Sequence, residues 1–307
     1  MPGEPTEIFT EHCELLFSIV YNMLGTVADT EDVLQEAWIA WARRTTAPDA
    51  APIDNPRAYL VRVAVREALA AQQTIHRRRE TYQGPWLPEP LIQPLTGAEA
   101  APPDAAETAI QNESLSIALL VVLETLTPLE RAVFVLGEAF GYPSTEIAQI
   151  LDRTPAAVRQ LAHRAREHVQ ARRPRFQTDP HLRREITERF LAALLGGDLE
   201  AFMRLLAPEV TIWTDGGGQA RAAGLRGPQP RERIAQMLAV GAFRPRPGLG
   251  FRYRLVNGDP AVVLLSEGAP FAVLVLDFSP DVDEVTGACA VTGVYAVTNP
   301  DKLTHVY

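Results

Sequence analysis

The sequence predicts two all-α domains followed by an α+β domain. The first 173 residues carry apolar side chains at helical spacing, interrupted by one proline-rich stretch. Beyond Pro174, two short helical segments precede a series of short β-rich runs, an order that is typical of an α+β domain. A length of 307 residues also suits two or three domains.

Residues 1–81 form the first predicted domain, which contains three helices. The first helix places apolar residues on one side: Leu15, Leu16, Ile19, Val20, Met23 and Leu24. We expect Asp29 to cap the second helix, whose apolar residues are Val33, Leu34, Ala37, Trp38 and Trp41. A third helix begins near Asn55-Pro56 and ends in the run 75–79.

Residues 82–106 contain six prolines and little periodicity, and we interpret them as a flexible linker. The second helical domain, residues 107–174, contains a helix that begins at Thr127-Pro128. A short helix, Ser144–Leu151, and a longer helix capped by Thr154 and Pro155 then predict a helix-turn-helix.

Residues 178–307 form the predicted α+β domain. Two helices within 182–206 are separated at Gly196-Gly197-Asp198, and a further helix is expected at Gln229–Val240. The predicted strands are Glu209–Trp213, Gly250–Asn257, Ala261–Leu265, Phe271–Phe278, Val282–Ala290 and Gly293–Val297.

The net charge of −9 argues against indiscriminate binding to nucleic acid, yet two segments are locally basic. Residues 55–79 hold six Arg against one Glu, and residues 153–175 hold seven Arg against one Glu. The two cysteines form no metal-binding motif, so no metal or cofactor is expected. We find no signal peptide, and the longest apolar run is too short to span a bilayer, which favours a cytoplasmic protein without membrane contact.

Three segments favour particular functions, and each also has a simpler structural explanation. The second helix of the helix-turn-helix would read DNA, unless its arginines only form a solvated surface. The acidic helix that begins at Asp29 would bind a partner protein, or its acids only match the helix dipole. The basic helix that begins at Asn55 would bind single-stranded DNA beside Tyr59, or it is an ordinary surface helix.

Taken together, these segments resemble the extracytoplasmic-function sigma factors of bacterial RNA polymerase. Residues 24–38 look like the core-binding helix of sigma region 2, and residues 55–60 like the start of the helix that binds the −10 element. Residues 126–134 and 142–148 look like sigma region 4. The resemblance implies a sigma factor that binds the β′ and β subunits of core RNA polymerase and promoter DNA.

The resemblance assigns three sets of residues. Those expected to bind core polymerase are Asp29, Glu31, Asp32, Val33, Leu34, Gln35 and Glu36. Those expected at the −10 element are Trp38, Trp41, Arg43, Arg44, Asn55, Arg57, Tyr59, Arg62 and Arg66. Those expected at the −35 element are Thr154, Arg159, Gln160, His163, Arg164 and Arg166.

The C-terminal domain resembles the SnoaL-like (NTF2-like) cone domain that one subgroup of these sigma factors carries. Three segments carry this resemblance, and we expect them to regulate the protein in cis: Trp86, Leu87 and Pro88; Asp215, Gly216, Gly217 and Gly218; Asn299, Pro300, Asp301, Lys302 and Leu303. The subgroup usually has Lys after Asp-Gly-Gly-Gly, where this chain has Gln219.

Some relatives of SnoaL-like domains are isomerases or hydrolases and have an internal pocket. Asp215, Glu267 and Asp277 are candidate acids or bases here, but no triad is visible in the sequence and we expect no catalytic residues. Two alternatives remain: a stand-alone DNA-binding regulator whose C-terminal pocket binds an unknown small ligand, and a SnoaL-type enzyme with a DNA-targeting arm.

Overall fold

The computed structural model describes residues 5–47, 51–93, 115–172, 179–219, 228–237, 247–282 and 289–306. These residues fall into two compact units. The first unit contains the described residues up to Thr81, then Leu115, and the chain from Leu119 to residue 172. The second contains residues 82–93, residues 116–118 and the described residues beyond 178.

Three helices of the first unit pack against one another: α1 (Pro5–Leu24), α2 (Val27–Thr46) and α3 (Pro56–Glu80). The predicted apolar stripes form their core, in which Leu16, Ala37 and Leu60 are fully buried. The prediction that Asp29 caps α2 is wrong. Gly25, with φ of 79°, ends α1, and Thr26 is the N-cap residue, so Asp29 lies in the first turn.

The chain continues with α4 (Ile117–Leu123), α5 (Pro128–Phe134), a π-helix (Val135–Ala139), α6 (Ser144–Leu151) and α7 (Pro155–Arg172). These elements belong to the first unit, except that Ile117 and Ala118 at the start of α4 belong to the second. Thr127 and Glu130 form a capping box at the start of α5, which confirms the predicted cap. Asp152 adopts a left-handed conformation and ends α6, after which Thr154 accepts a hydrogen bond from the Ala157 amide. The predicted helix-turn-helix of α6 and α7 is therefore confirmed.

The second unit combines helices with a seven-stranded sheet. Its helices are α8 (Pro180–Gly196), α9 (Leu199–Leu205) and α10 (Arg231–Met237), and a 3₁₀ helix (Pro300–Lys302) follows the last strand. The strands are β1 (Ile92–Gln93), β2 (Leu206–Asp215), β3 (Gln229–Pro230), β4 (Leu249–Val256), β5 (Asp259–Ser266), β6 (Ala269–Val282) and β7 (Cys289–Val297). Their order is β1-β4-β5-β6-β7-β2-β3, and β4 to β7 form an antiparallel meander.

Helices α8, α9 and α10 cover part of the sheet with two apolar clusters, centred on Phe190 and Leu191. Two predicted elements differ in the structure. Val282 ends β6 and Cys289 starts β7, so Val282–Ala290 is not one strand, and residues 283–288 lie outside the described residues. The predicted helix at Gln229 begins only at Arg231, because Gln229 and Pro230 pair with β2, and residues 238–240 lie outside the described residues.

The first half of the predicted linker belongs to the second unit. Ile92 and Gln93 pair antiparallel with Val256 and Leu255 of β4. Leu91 is bonded to Asn257 in both directions, since its carbonyl accepts from the Asn257 amide at 3.0 Å and its amide donates to the Asn257 side chain at 3.1 Å. Residues 94–114 and 173–178, which include the rest of the predicted linker, lie outside the described residues.

Candidate functional site

The acidic surface of α2 consists of three exposed acidic side chains and one exposed amide, namely Glu31, Asp32, Glu36 and Gln35. Spacings of one and four residues place them on one side of the helix. Val33 and Leu34 are buried at 4% and 8% exposure and pack into the core, so their predicted contact with a partner is wrong. Asp29 is half-buried and forms an ion pair with Arg78 of α3.

The end of α2 contributes fewer DNA-facing residues than the sequence predicted. Trp41 is 2% exposed, donates its indole N–H to the Pro5 carbonyl at 2.8 Å and packs against the Tyr59 ring. A buried indole whose N–H is already bonded cannot contact DNA, so that assignment is wrong. Trp38 stays half-buried with its ring 5.2 Å from Phe9, and Arg43 is exposed.

The N-terminal part of α3 presents its arginines to solvent. Asn55 caps the helix by accepting a hydrogen bond from the Ala58 amide at 2.9 Å. Arg57, Arg62 and Arg66 are exposed. The Arg57 guanidinium also lies 5.8 Å from the centre of the Tyr142 ring, at the start of the helix-turn-helix.

The residues of α7 that were predicted to contact the −35 element do not all face the same way. One group faces solvent, and two arginines lie on either side of it. Arg159, Gln160 and His163 are exposed and opposite the buried Val158 and Ala165. Arg164 lies 3.2 Å from Glu130, whereas Arg166 bonds Glu138 at 2.6 Å. Both arginines are thus paired with carboxylates in this arrangement.

The three predicted regulatory segments meet in the second unit around one buried carboxylate, and we call this set the anchor cluster: Tyr82, Trp86, Leu87, Asp215, Gly217, Asn299 and Lys302. Asp215, at the end of β2, is completely buried. Its carboxylate accepts hydrogen bonds from the Leu87 amide at 2.9 Å and the Lys302 ammonium at 2.7 Å. A buried charge is tolerated when it is paired and hydrogen-bonded in this way.

Lys302 links the linker to the end of the last strand. Its ammonium is 4.2 Å from the Trp86 ring and also donates to the Leu87 carbonyl at 2.5 Å. Asp215 and Lys302 therefore bond both backbone groups of Leu87, which is fully buried. Cation–π contact with Trp86 adds to the attraction because the ammonium is 7% exposed and poorly hydrated.

Tyr82, which sequence reasoning missed, completes the cluster. Its hydroxyl donates to Asp215 at 2.5 Å and accepts from the Asn299 side chain at 2.8 Å. Burial, followed by the hydrogen bond to Asp215, raises the pKa of Tyr82 above its ordinary value, so the side chain acts as a neutral donor. No periodicity marks an aromatic residue that follows a basic helix end, so the sequence held no signal for it.

The glycines after Asp215 allow close approach to both partner segments. Gly217 has φ of 61°, and a Cβ there would lie 2.5 Å from Asn299 Cγ. Gly218 has φ of 74°, and its Cβ would lie 2.6 Å from the side-chain oxygen of Gln83. Any side chain at these positions would separate the loop from the linker or from Asn299.

Gln219 replaces the lysine that the resemblance implied and still contacts the C-terminal segment. Its amide donates to the Asp301 carboxylate at 3.1 Å on the surface. Asn299 in turn accepts a hydrogen bond from the Asp301 amide at 3.1 Å, and Leu303 is buried beneath this turn. The neutral side chain therefore keeps the contact but not the charge.

The described residues contain no group of His, Cys, Asp and Glu side chains that could hold a metal ion. Glu267 lies in the turn between β5 and β6, and Asp277 lies opposite Gly293 in the sheet, so they do not join Asp215. Within the described part of the chain, every helix is too short or too polar to cross a membrane.

Both helical regions match known families. Residues 8–79 match the family model described as Sigma-70 region 2, and residues 116–169 match that of Sigma-70, region 4. Over 293 residues the chain is 37% identical to the ECF RNA polymerase sigma factor SigJ of Mycobacterium tuberculosis, covering 94% of this chain and 90% of that protein. It is 33% identical over 200 residues to the probable ECF RNA polymerase sigma factor SigI of the same species, which covers 65% of this chain and 66% of the relative.

The solved structures agree with this relationship. The crystal structure of the Mycobacterium tuberculosis extracytoplasmic function sigma factor SigJ superposes with a TM-score of 0.71 at 30% identity, covering 97% of this chain and 98% of the other. The predicted order of two helical sigma regions and an α+β domain is thereby confirmed. The chain belongs to the extracytoplasmic-function family of RNA polymerase sigma factors, and it initiates transcription with core RNA polymerase at promoter DNA.

Proposed function

We propose that the C-terminal unit regulates this sigma factor in cis by holding the first half of the linker between regions 2 and 4. The observation that carries the proposal is the pair of bonds from Asp215 and Lys302 to the two backbone groups of Leu87. Strand β1 fixes the linker a second time, five residues later. A linker held at two points has less freedom to vary the separation of the regions that it joins.

The acidic surface of α2 docks on the β′ subunit of core polymerase, and region 4 provides the contact with the β subunit. The exposure of Glu31, Asp32 and Glu36 supports this assignment, because their charges face solvent and are available to a basic partner, with the polar Gln35 exposed beside them. Asp29 contributes chiefly by fixing α2 to α3 through Arg78.

Promoter DNA contacts the exposed arginines of α2 and α3 at the −10 element and the outward side of α7 at the −35 element. The arginines suit single-stranded DNA, where phosphates pair with cations and bases stack on aromatic rings such as Trp38. Arg159 and Gln160 suit base edges in the major groove, where they recognise guanine and adenine.

The C-terminal unit acts through this regulatory contact rather than as an enzyme, and the protein works in the cytoplasm, where its polymerase is. Asp215 supports the non-enzymatic role, since its carboxylate is saturated by the linker and Lys302. A small ligand of this unit stays a prediction from the resemblance.

Substitution of Lys302 by Met tests the regulatory contact. The change leaves Asp215 buried without its cation, and breaking a buried pair costs about 3–5 kcal/mol, enough to release the linker. We expect run-off transcription with core polymerase to change several-fold from a promoter that has both elements, while binding to core polymerase in a pull-down stays the same.

Arg204→Met is the matched control, because it removes a cation from the surface of the same unit, where Arg204 pairs with the exposed Glu200 among the described residues. If the Lys302 substitution disturbs folding, Asp215→Asn/Lys302→Met removes both charges and keeps the core neutral. Unchanged transcription in the folded double variant would exclude regulation through the anchor cluster.

A further inference from the structure

Residues from three parts of the first unit donate hydrogen bonds to the carbonyls at the C-terminal end of α1. The last four carbonyls of a helix have no partner within it and must find others. Here each accepts one hydrogen bond, in chain order from the Gly25 amide to Tyr21, from Arg131 to Asn22, from Gln72 to Met23 and from Arg79 to Leu24. Three of these donors belong to region 2, whereas Arg131 belongs to region 4.

Asn22 is the point at which region 4 reaches into region 2. It is completely buried, and its carbonyl accepts from Arg131 Nε at 3.1 Å. Its side-chain oxygen also accepts from the Leu115 amide at 3.2 Å, so the chain that leads into region 4 is bonded to the same residue. Arg131 is itself only 4% exposed.

One carboxylate bonds both arginines at this end of α1, of which Arg131 is buried and Arg79 half-buried. Glu124, between α4 and α5, accepts hydrogen bonds from Arg79 of region 2 and Arg131 of region 4. The three side chains together carry a net charge of +1, and Arg131 Nη2 has no hydrogen-bond partner among the described residues. Removing one partner of an ion pair that is largely shielded from water leaves the other charge uncompensated, so loss of the Glu124 charge destabilises the arrangement that holds Arg79 and Arg131 together.

The arrangement that these residues hold is too compact for both promoter elements at once. Elements centred about 25 base pairs apart are separated by about 85 Å of B-DNA, at roughly 3.4 Å per base pair. Helix α3 has 25 residues and is about 37 Å long, and it packs directly against α6 of the helix-turn-helix. Regions 2 and 4 must therefore separate before both elements are bound.

We propose that Glu124 holds regions 2 and 4 in a closed arrangement by balancing Arg79 and Arg131 across their interface, and that loss of its charge opens them. The effect on promoter binding rests on the DNA-reading surfaces proposed above, whereas the distance between the regions does not depend on them. This contact lies entirely within the first unit and is separate from the anchor cluster.

The distance between the regions is the direct test. Spin labels are attached to cysteines that replace the exposed residues Ala70 in α3 and Gln170 in α7. Pulsed electron paramagnetic resonance then measures the distance between the two labels in the full chain. Cys13→Ser removes the half-exposed natural cysteine, while Cys289 is 2% exposed and shielded from the label. We expect Glu124→Gln to move most molecules to longer distances, and to raise the affinity for DNA with both elements several-fold.

Glu80→Gln is the matched control, since Glu80 pairs with His76 on the surface of α3 and should leave the distances unchanged. If Glu124→Gln fails to fold, Glu124→Asp keeps the charge but reaches only one arginine, and an intermediate population of long distances is expected. A folded Glu124 variant with the distances of the wild type would overturn the proposal. Longer distances without a gain in DNA affinity would support the contact and instead contradict the assigned DNA-reading surfaces.

Discussion

Close packing matters in the anchor cluster as much as charge does. Gly217 approaches Asn299 so closely that a single methyl group does not fit, and its backbone also has positive φ. Gly268, in the turn between β5 and β6, has φ of 84° but open space around it. The two glycines therefore separate the effect of conformation from the effect of contact.

Gly217→Ala is expected to loosen the linker, whereas Gly268→Ala is not. The left-handed conformation costs a side chain about 1–2 kcal/mol at either site, and overpacking adds about 1–3 kcal/mol at Gly217 alone. Hydrogen exchange of the Leu87 amide, which bonds Asp215, measures the difference. Equal exchange in both variants would mean that close packing of this loop does not secure the linker.

The family resemblance misassigned three side chains of α2. Val33, Leu34 and Trp41 were expected at partner surfaces because family motifs include them, and the structure buries all three. The helical period already placed them on the apolar side, so their burial was predictable from the sequence. The indole N–H of Trp41 is satisfied by Pro5, thirty-six residues earlier, and no local pattern reveals such a bond.

At the scale of elements, residues of α7 that were predicted together as contacts of the −35 element lie in different surroundings. Arg164 and Arg166 lie on opposite flanks and are paired with Glu130 and Glu138. Two residues apart on a helix means about 200° of rotation, so the two arginines cannot share one groove wall. Gln160 faces outward between them.

Gln160→Ala should relax the preference for one base of the −35 element by about 1–3 kcal/mol. Arg166→Ala should instead weaken binding to all sequences alike and lower the salt slope by about 1, as expected for a phosphate contact. Binding to single-base variants of the element at several salt concentrations distinguishes the two. Gln170→Ala, near the C-terminal end of α7, is the control, and a uniform loss in Gln160→Ala would contradict base reading.

Helix α2 is expected to lose its partner when its outward acids are removed. Asp32→Ala/Glu36→Ala deletes two charges that no described ion pair uses, so folding should be unaffected while binding to core polymerase falls at least tenfold, or about 1.4 kcal/mol. Glu11→Ala/Glu14→Ala makes the same change in charge on exposed positions of α1. A pull-down in which both variants bind equally would exclude a specific role for the acidic surface.

At the scale of the molecule, the sequence predicted the order of the parts better than their connections. Helical periodicity and caps located α3, α5, α6 and α7 to within a few residues, because those signals are local. Strand β1 was missed, since two residues carry no alternation and their partners in β4 lie more than 160 residues later. Proline content suggested a free linker where tertiary pairing fixes the chain.

In the candidate sites, too, the sequence predicted individual residues better than their long-range contacts. All members of the anchor cluster except Tyr82 were named from the family resemblance, but only the structure brings Trp86, Asp215 and Lys302 together. Glu124 lies outside the family motifs, and the motif at residues 126–134 that contains Arg131 gives it no such role, so the contact between regions 2 and 4 could not be found from spacing. The role of a buried charge depends on partners that are distant in the chain, and a local sequence pattern does not reveal them.

The position of Lys302 also determines when, during synthesis, the proposed restraint on the linker can form. Lys302 follows Leu87 by 215 residues, so the ribosome adds it long after both sigma regions. At about 5–20 residues per second, roughly 10–40 s pass between the two residues. A nascent chain therefore contains both sigma regions before Lys302 can bond Leu87, and a chain whose translation stops before Lys302 lacks this bond. If the anchor cluster regulates the protein as proposed, that regulation requires synthesis to pass Lys302.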